Sequence, residues 1–325
     1  MINVAVIGTG NMGKHHVRNY SKLGNVNLVA VCDIDEEKGM NIASKFLCKY
    51  YKDYKEMLEK ESIDAISIAV PTKFHKEIAL YALDKDKHVL LEKPIANNVE
   101  DAEEIIKKSE EKKRKFMVGH IERFNPAVVK LKEIIDQGKL GKVISIIARR
   151  VGPFPPRMEG SNVIIDLAVH DIDVINYLLN KKPVSVSSYG NSALSSSNNE
   201  DCAEILLRYA DVTGFIQVNW VTPIKIRNLS ITGALGYAEL NYINQELVIY
   251  KNFINKESNS FLDIVNLAES DKKKIYIEKE EPLSIELKSF IGCIENGTDP
   301  FVNVKDSLDA LKIAIISINN LNKIG

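Results

Sequence analysis

Near the amino terminus an apolar run, Asn3–Ile7, leads straight into Gly8-Thr9-Gly10-Asn11-Met12-Gly13 and then into a stretch with helical periodicity. Three glycines at this G-x-G-x-x-G spacing permit a tight turn, close approach of backbone to a diphosphate, and close strand–helix contact. The helix start that follows adds unpaired N–H groups and a partial positive charge. Gly8, Gly10, Asn11, Met12 and Gly13 are therefore candidates to hold the phosphates of a dinucleotide. Such a hexapeptide also occurs as a plain turn, so a second residue must decide. Asp33 ends the next apolar run, 20 residues beyond Gly13, where a carboxylate accepts hydrogen bonds from an adenosine ribose. Its charge would repel a 2′-phosphate. The expected cofactor is NAD rather than NADP.

A loop of this kind works only between a strand and a helix, and the surrounding chain supplies both in alternation. The runs Asn3–Ile7, Leu28–Cys32, Ala65–Val70, His88–Leu91 and Phe116–Val118 are almost continuously apolar, as strands covered on both faces require. Between them lie the helical stretches Lys14–Leu23, Glu36–Phe46, Tyr54–Lys60, His75–Ala82 and Val99–Lys112. This rhythm predicts a doubly wound parallel α/β sheet of the Rossmann type over residues 1–120. After about residue 125 the pattern changes. Val143–Val151, Val184–Tyr189, Ala203–Tyr209, Gly214–Trp220, Asn228–Thr232, Tyr237–Tyr242 and Glu246–Lys251 read as strands with few helices between them. Phe215, Gln217 and Asn219 alternate with Ile216, Val218 and Trp220, the mark of a sheet with two unlike faces. Residues 121–325 are thus expected to form an α+β domain with a large, mostly antiparallel open sheet, serving substrate binding and oligomerisation. Two helices close the chain, near Leu283–Asn296 and Lys305–Leu321, the last of them able to pack back on the first domain.

Composition sets the outer limits. The chain has 325 residues, with 43 basic and 44 acidic side chains giving a net charge of −1, so no broad basic field for nucleic acid exists. No apolar run approaches a membrane span, and the opening residues lack the basic start of a signal peptide. Cys32, Cys48, Cys202 and Cys293 form no C-x-x-C pair, and the histidines show no H-E-x-x-H spacing, so neither a disulfide framework nor a metal site is indicated. A reduced, cytoplasmic enzyme is expected.

Three further segments carry a resemblance. Val70-Pro71-Thr72-Lys73-Phe74-His75 ends one strand, Glu92-Lys93-Pro94 ends the next, and Asp166-Leu167-Ala168-Val169-His170-Asp171 lies on a later helix. With the glycine loop and the two-part layout, the chain resembles the Gfo/Idh/MocA oxidoreductases over essentially its whole length. The resemblance implies oxidation or reduction at a sugar or cyclitol carbon. It places Lys93, Asp166 and His170 on the family's catalytic positions. It also places Val70, Pro71, Thr72, His75, Glu92 and Lys93 along the nicotinamide half of the cofactor, with Thr72 standing where the family most often has Asn.

Helical geometry speaks to part of this. At about 100° per residue, Asp166, His170 and Asp173 fall within a stripe ~60° wide, opposite Ile165, Ala168, Val169, Ile172, Ile175 and Leu179. A carboxylate and an imidazole are then presented together. His170 is the natural general base for a secondary alcohol, since an unperturbed imidazole titrates near ~6.5. Lys93 would stabilise developing alkoxide charge, and Asp166 would orient the imidazole or pair with Lys93.

The chain has only eight arginines, and four of them, Arg123, Arg149, Arg150 and Arg157, lie within 35 residues. Guanidinium groups suit planar recognition of phosphate or carboxylate, so an anionic substrate is expected. The segments Gly119–Pro126 and Arg150–Arg157 most resemble the nucleotide-sugar branch of the family. That implies oxidation at C3 of UDP-N-acetylglucosamine, with Arg123, Asn125 and His170 near the sugar and Arg149, Arg150 and Arg157 near the diphosphate. Two alternatives stand beside it. One is a dehydrogenase of free sugars or inositol, and the other is a non-catalytic NAD-binding sensor or assembly module. A one-faced sheet of this size also calls for a partner, so a homodimer or homotetramer is expected.

Overall fold

Strands and helices alternate without exception through the first third of the chain. They are β1 (Ile2–Ile7), α1 (Gly13–Tyr20), β2 (Val26–Cys32), α2 (Glu36–Phe46), β3 (Lys49–Tyr51), α3 (Tyr54–Lys60), β4 (Ala65–Ile68), α4 (His75–Asp84), β5 (His88–Glu92), α5 (Val99–Lys112) and β6 (Phe116–Gly119). This is a computed structural model, and it describes residues 1–154, 162–193, 200–251 and 272–323. The six strands form one parallel sheet in the order β3-β2-β1-β4-β5-β6. Their apolar runs are explained by burial on both faces: Val4, Val6, Ile66, Ile68, Val89, Leu91, Met117 and Val118 are inaccessible. Helix starts follow local chemistry, as Asp35, Asp53 and Asn98 each accept a backbone N–H of the first turn. The short β3, Lys-Tyr-Tyr, carries no apolar run to announce it.

After α6 (Pro126–Asp136), the chain builds a second sheet. Its strands are β7 (Val143–Val151), β8 (Ser185–Asn191), β9 (Cys202–Arg208), β10 (Thr213–Asn219), β11 (Ile226–Gly233), β12 (Gly236–Asn241), β13 (Glu246–Lys251), β14 (Lys272–Ile275) and β15 (Leu321–Lys323). The order is β14-β13-β12-β11-β7-β10-β9-β8-β15. Most neighbours are antiparallel, but β7–β10 and β8–β15 are parallel. The parallel centre has a topological cause. Helix α7 (Val169–Leu179) carries the chain from β7 to β8 as a crossover, which returns it in the same direction, and β9 and β10 then fill the gap between. On one face Ile146, Ala148, Ile216 and Val218 are buried, and α6 and α7 pack there. On the other face Ile147, Phe215 and Leu206 lie in cross-strand register and are exposed.

The chain ends in α8 (Pro282–Asn296), α9 (Val304–Asn319) and β15. Its two units are Met1–Ile121 with Glu281–Lys312, and Glu122–Glu280 with Ile313–Gly325. The segment Glu281–Lys312 therefore belongs with the parallel sheet, where α8 packs on α1. Among the described residues no helix is long and apolar enough to cross a membrane.

Candidate active site

The glycine loop joins β1 to α1. Gly8 has φ +88°, and a Cβ there would stand 2.6 Å from the Ala69 carbonyl oxygen. A Cβ on Gly13 would meet the Gly8 oxygen at 1.7 Å. These two glycines are demanded by backbone packing. Gly10 differs: a Cβ there would have nothing within 4 Å, so its missing side chain leaves open space beside the start of α1. That is the space a diphosphate needs. Asp33, just past β2, turns toward the same loop. Its Oδ2 accepts from the Thr9 N–H at 2.6 Å and the Thr9 hydroxyl at 2.7 Å, and its Oδ1 accepts from the Asp35 N–H at 2.9 Å. The carboxylate is thus fixed beside the glycine loop with acceptor capacity remaining, as binding an adenosine ribose requires. Thr9, which fixes it, was not singled out in the sequence.

The ends of β4 and β5 are braced from within. The imidazole of His75 is buried between two carbonyl oxygens, Pro94 at 2.9 Å from Nδ1 and Val70 at 2.9 Å from Nε2. Burial holds its pKa below the ordinary value, against the opposing pull of those carbonyls. Both ring nitrogens of His75 thus lie against backbone oxygens at the ends of β4 and β5, and the neutral ring donates to one of them. Glu92 turns inward to His16 of α1, with Oε1 2.8 Å from Nε2. Burial opposes its ionisation, but the hydrogen bond and charge of His16, with Lys93 and His75, hold its pKa below the ordinary value. Glu286 of α8 belongs to the same interior and is fully buried. Neither of its carboxylate oxygens has a hydrogen-bond partner, and burial, then the charge of Glu92, raises its pKa well above normal. Pro71 and Thr72 sit at the turn between β4 and α4, and Lys93 follows Glu92 at the strand end.

In the second unit, the segment bearing Asp166 is not an ordinary helix. Ile164–Ala168 forms a π-helical turn and the α-helix starts only at Val169. Asn162 starts this segment, its side-chain oxygen accepting from the Ile164 N–H at 2.8 Å. A single 100° step therefore does not run through Asp166 and His170. Those two are partly exposed, whereas Asp173 is buried and bound to Arg123. The three-residue polar stripe is corrected to Asp166 and His170 alone. π-turns recur where a helix must re-aim functional side chains.

The arginines separate. Arg150 is buried, donating from Nε to Asp171 Oδ2 at 2.7 Å and from Nη1 to Glu122 Oε1 at 2.9 Å. Burial works against its charge, yet Asp171 and Glu122 leave its pKa well above normal. Arg123 is likewise buried, donating to both oxygens of Asp173 at 2.8 and 2.6 Å. Arg149, next to Arg150 on β7, projects to the opposite, exposed face and lines a shallow concavity with Asn228, Ser230, Tyr237 and Glu239. Adjacent residues of a strand cannot converge on one ligand, so the expected Arg149–Arg150 diphosphate pair is corrected. Asn125 is also committed elsewhere: it caps α6 through the Ala127 N–H at 3.1 Å and donates to the Tyr242 carbonyl at 3.1 Å. Arg157 lies outside the described residues.

A guanidinium that sequence reasoning passed over occupies the inner face. Arg227 of β11 is directly opposite Arg150 in the ladder and donates to the carbonyls of Val151 at 2.5 Å and Ile226 at 2.8 Å. Strand register brings it there from outside the arginine-rich window.

A glycine loop with open space at Gly10, set on a doubly wound parallel sheet beside a fixed carboxylate, defines a dinucleotide-binding protein. Residues 2–120 match the oxidoreductase family with NAD-binding Rossmann fold of the Gfo/Idh/MocA proteins, and residues 128–239 match the family's C-terminal domain. The chain belongs to the Gfo/Idh/MocA family, and its first domain binds NAD. It is 27% identical to UDP-N-acetylglucosamine 3-dehydrogenase of Acidithiobacillus ferrooxidans, over 90% of this chain and 88% of that protein. It is 26% identical to scyllo-inositol 2-dehydrogenase (NAD(+)) of Bacillus subtilis, over 98% of this chain and 94% of that one. In fold, it matches levoglucosan dehydrogenase in complex with NADH and levoglucosan at a TM-score of 0.86 and 20% identity, covering 98% and 96% of the two chains. It is an NAD-dependent oxidoreductase acting on CH–OH groups.

Proposed function

We propose that this enzyme oxidises a secondary hydroxyl of a nucleotide sugar to a ketone, with C3 of UDP-N-acetylglucosamine the favoured position. The observation that carries the reading is the likeness to the Acidithiobacillus enzyme along 90% of the chain, supported by the guanidinium-rich inner face of the second sheet. Gly8, Gly10, Asn11, Met12, Gly13 and Asp33 would hold the cofactor, and NAD supplies the hydride acceptor when bound. His170 takes the hydroxyl proton as general base. Lys93 donates a hydrogen bond to the same oxygen and holds its charge as it becomes an alkoxide. Asp166 orients the imidazole from the π-turn. NADH absorbance measured across a panel of UDP-sugars and free sugars, with mass spectrometry for a 3-keto product, tests the substrate. His170→Ala should cut turnover by about 10²–10⁴-fold with NAD binding unchanged, and near-wild-type turnover would remove His170 as the base.

A second reading, oxidation of a free cyclitol, is favoured by one observation: Arg123 and Arg150 are consumed by internal carboxylates. The same panel decides, since inositol would then outrun every nucleotide sugar. We also propose that the exposed row of Ile147, Phe215 and Leu206 pairs with a second copy. Light scattering showing a monomer at micromolar concentration would refute it.

A further inference from the structure

We infer that Arg227 is the specificity-determining residue of this site, its guanidinium taking phosphoryl oxygens of an anionic substrate. The inference rests on the nucleotide-sugar reading above and names the group that reads the nucleotide. Three arginines of the second unit, Arg123 on the turn before α6 and Arg150 and Arg227 on the inner face of the sheet, differ in what surrounds them. Arg123 holds Asp173, and Arg150 holds Asp171 and the partly buried Glu122, all within ion-pair distance. Arg227 bonds two backbone carbonyls through Nη1, and among the described residues no carboxylate contacts it. It is only partly buried, so part of the guanidinium remains open to a ligand. Burial and then the neighbouring Arg150 lower its pKa to about 10, while Asp171, Glu122 and Asp166 are near enough to oppose that without touching it. A charge placed beside another cation and left without a contacting anion gains from an external one.

Its position suits the role. A Cβ on Gly152 would reach the two terminal nitrogens of Arg227 at 3.8 and 3.9 Å, so the guanidinium lies over the start of the proline-rich connection after β7. The two bonds from Nη1 hold the fork in place, leaving Nε and Nη2 as donors for a planar, bidentate contact.

The test is equilibrium binding of inorganic pyrophosphate to the full-length protein saturated with NAD, so that the glycine loop is closed to the probe. Arg227→Gln should weaken binding about tenfold or more, the loss expected for one charge-assisted contact. Arg227→Lys, which keeps charge but not the fork, should fall between. In turnover, Arg227→Gln should raise KM for UDP-N-acetylglucosamine by a similar factor with kcat little changed. Wild-type protein that fails to bind pyrophosphate, or variants that bind it as well as wild type does, would overturn the inference. If Arg227→Gln does not fold, Arg227→Lys is read alone, and binding equal to wild type overturns the inference. Pyrophosphate binding that depends on Arg227, in a protein that oxidises no UDP-sugar, sinks the sugar assignment and leaves Arg227 as an anion site.

Discussion

Arg150 grips Asp171 with two donors, Nε to Oδ2 at 2.7 Å and Nη2 to Oδ1 at 3.1 Å, and both side chains are buried. The pair ties β7 to α7, the helix that carries His170. Removing one partner of such a pair leaves an uncompensated buried charge, which costs more than the pair itself contributes. Asp171→Ala is therefore expected to lower unfolding free energy by about 3 kcal/mol, measured by urea denaturation. A change below about 1 kcal/mol, the range of an exposed pair, would mean that Glu122 alone satisfies Arg150.

The glycines of the nucleotide loop should separate under the same substitution. Gly13→Ala forces a Cβ to 1.7 Å from the Gly8 oxygen, so its melting temperature should drop sharply. Gly10→Ala enters open space, and its melting temperature should stay near wild type. Its NAD affinity, followed by protein fluorescence, should nonetheless fall about tenfold, the cost of displacing a charged hydrogen-bonded group. If Gly10→Ala bound NAD normally, the diphosphate would have to lie elsewhere.

Much of the first unit was legible because its signals are local. A glycine hexapeptide, a carboxylate at the end of the next strand and runs of buried aliphatics each lie within a few residues. Helix α6 also carried a local signal that went unread, Asn125 as cap with Pro126 in the first turn. The arginines were not legible in this way. That Arg150 faces inward and Arg149 outward follows from strand alternation, but which face holds the helices is settled by packing. That Arg227 stands opposite Arg150 is settled by strand register across 77 positions of sequence. The π-turn at Asp166 likewise leaves no mark in hydrophobic periodicity.

Asp33 should govern the choice of dinucleotide. Asp33→Ser removes the charge that repels a 2′-phosphate and loosens the bonds to Thr9. KM for NAD should rise about tenfold, and the preference for NAD over NADP should narrow by at least as much. An unchanged ratio of the two kcat/KM values would mean that another residue reads the ribose.

Glu286 makes stability depend on pH in a defined sense. Its folded pKa is raised, by burial and then by Glu92, so the native state holds a proton that the unfolded chain releases near ~4.5. Stability from this group is complete below that pH and is lost as pH rises toward the folded value. Glu286→Gln keeps the shape without the titration. The melting-temperature difference, variant minus wild type, should therefore increase between pH 5 and pH 8, by a few degrees per kcal/mol for a chain of this size. A difference independent of pH would show that Glu286 is ionised in the folded protein.

The assignment of Glu281–Lys312 to the first unit bears on how the protein is made. Asn19 meets Glu281 and Asn25 meets Glu295 across 262 and 270 positions of sequence, and α8 lies on α1. The dinucleotide domain therefore lacks the helix that covers α1 when its sixth strand leaves the ribosome. It must wait, with one side of α1 uncovered, until the whole intervening domain has been synthesised. A fragment ending at residue 120 would keep the motif but leave open to water the side of α1 that α8 covers.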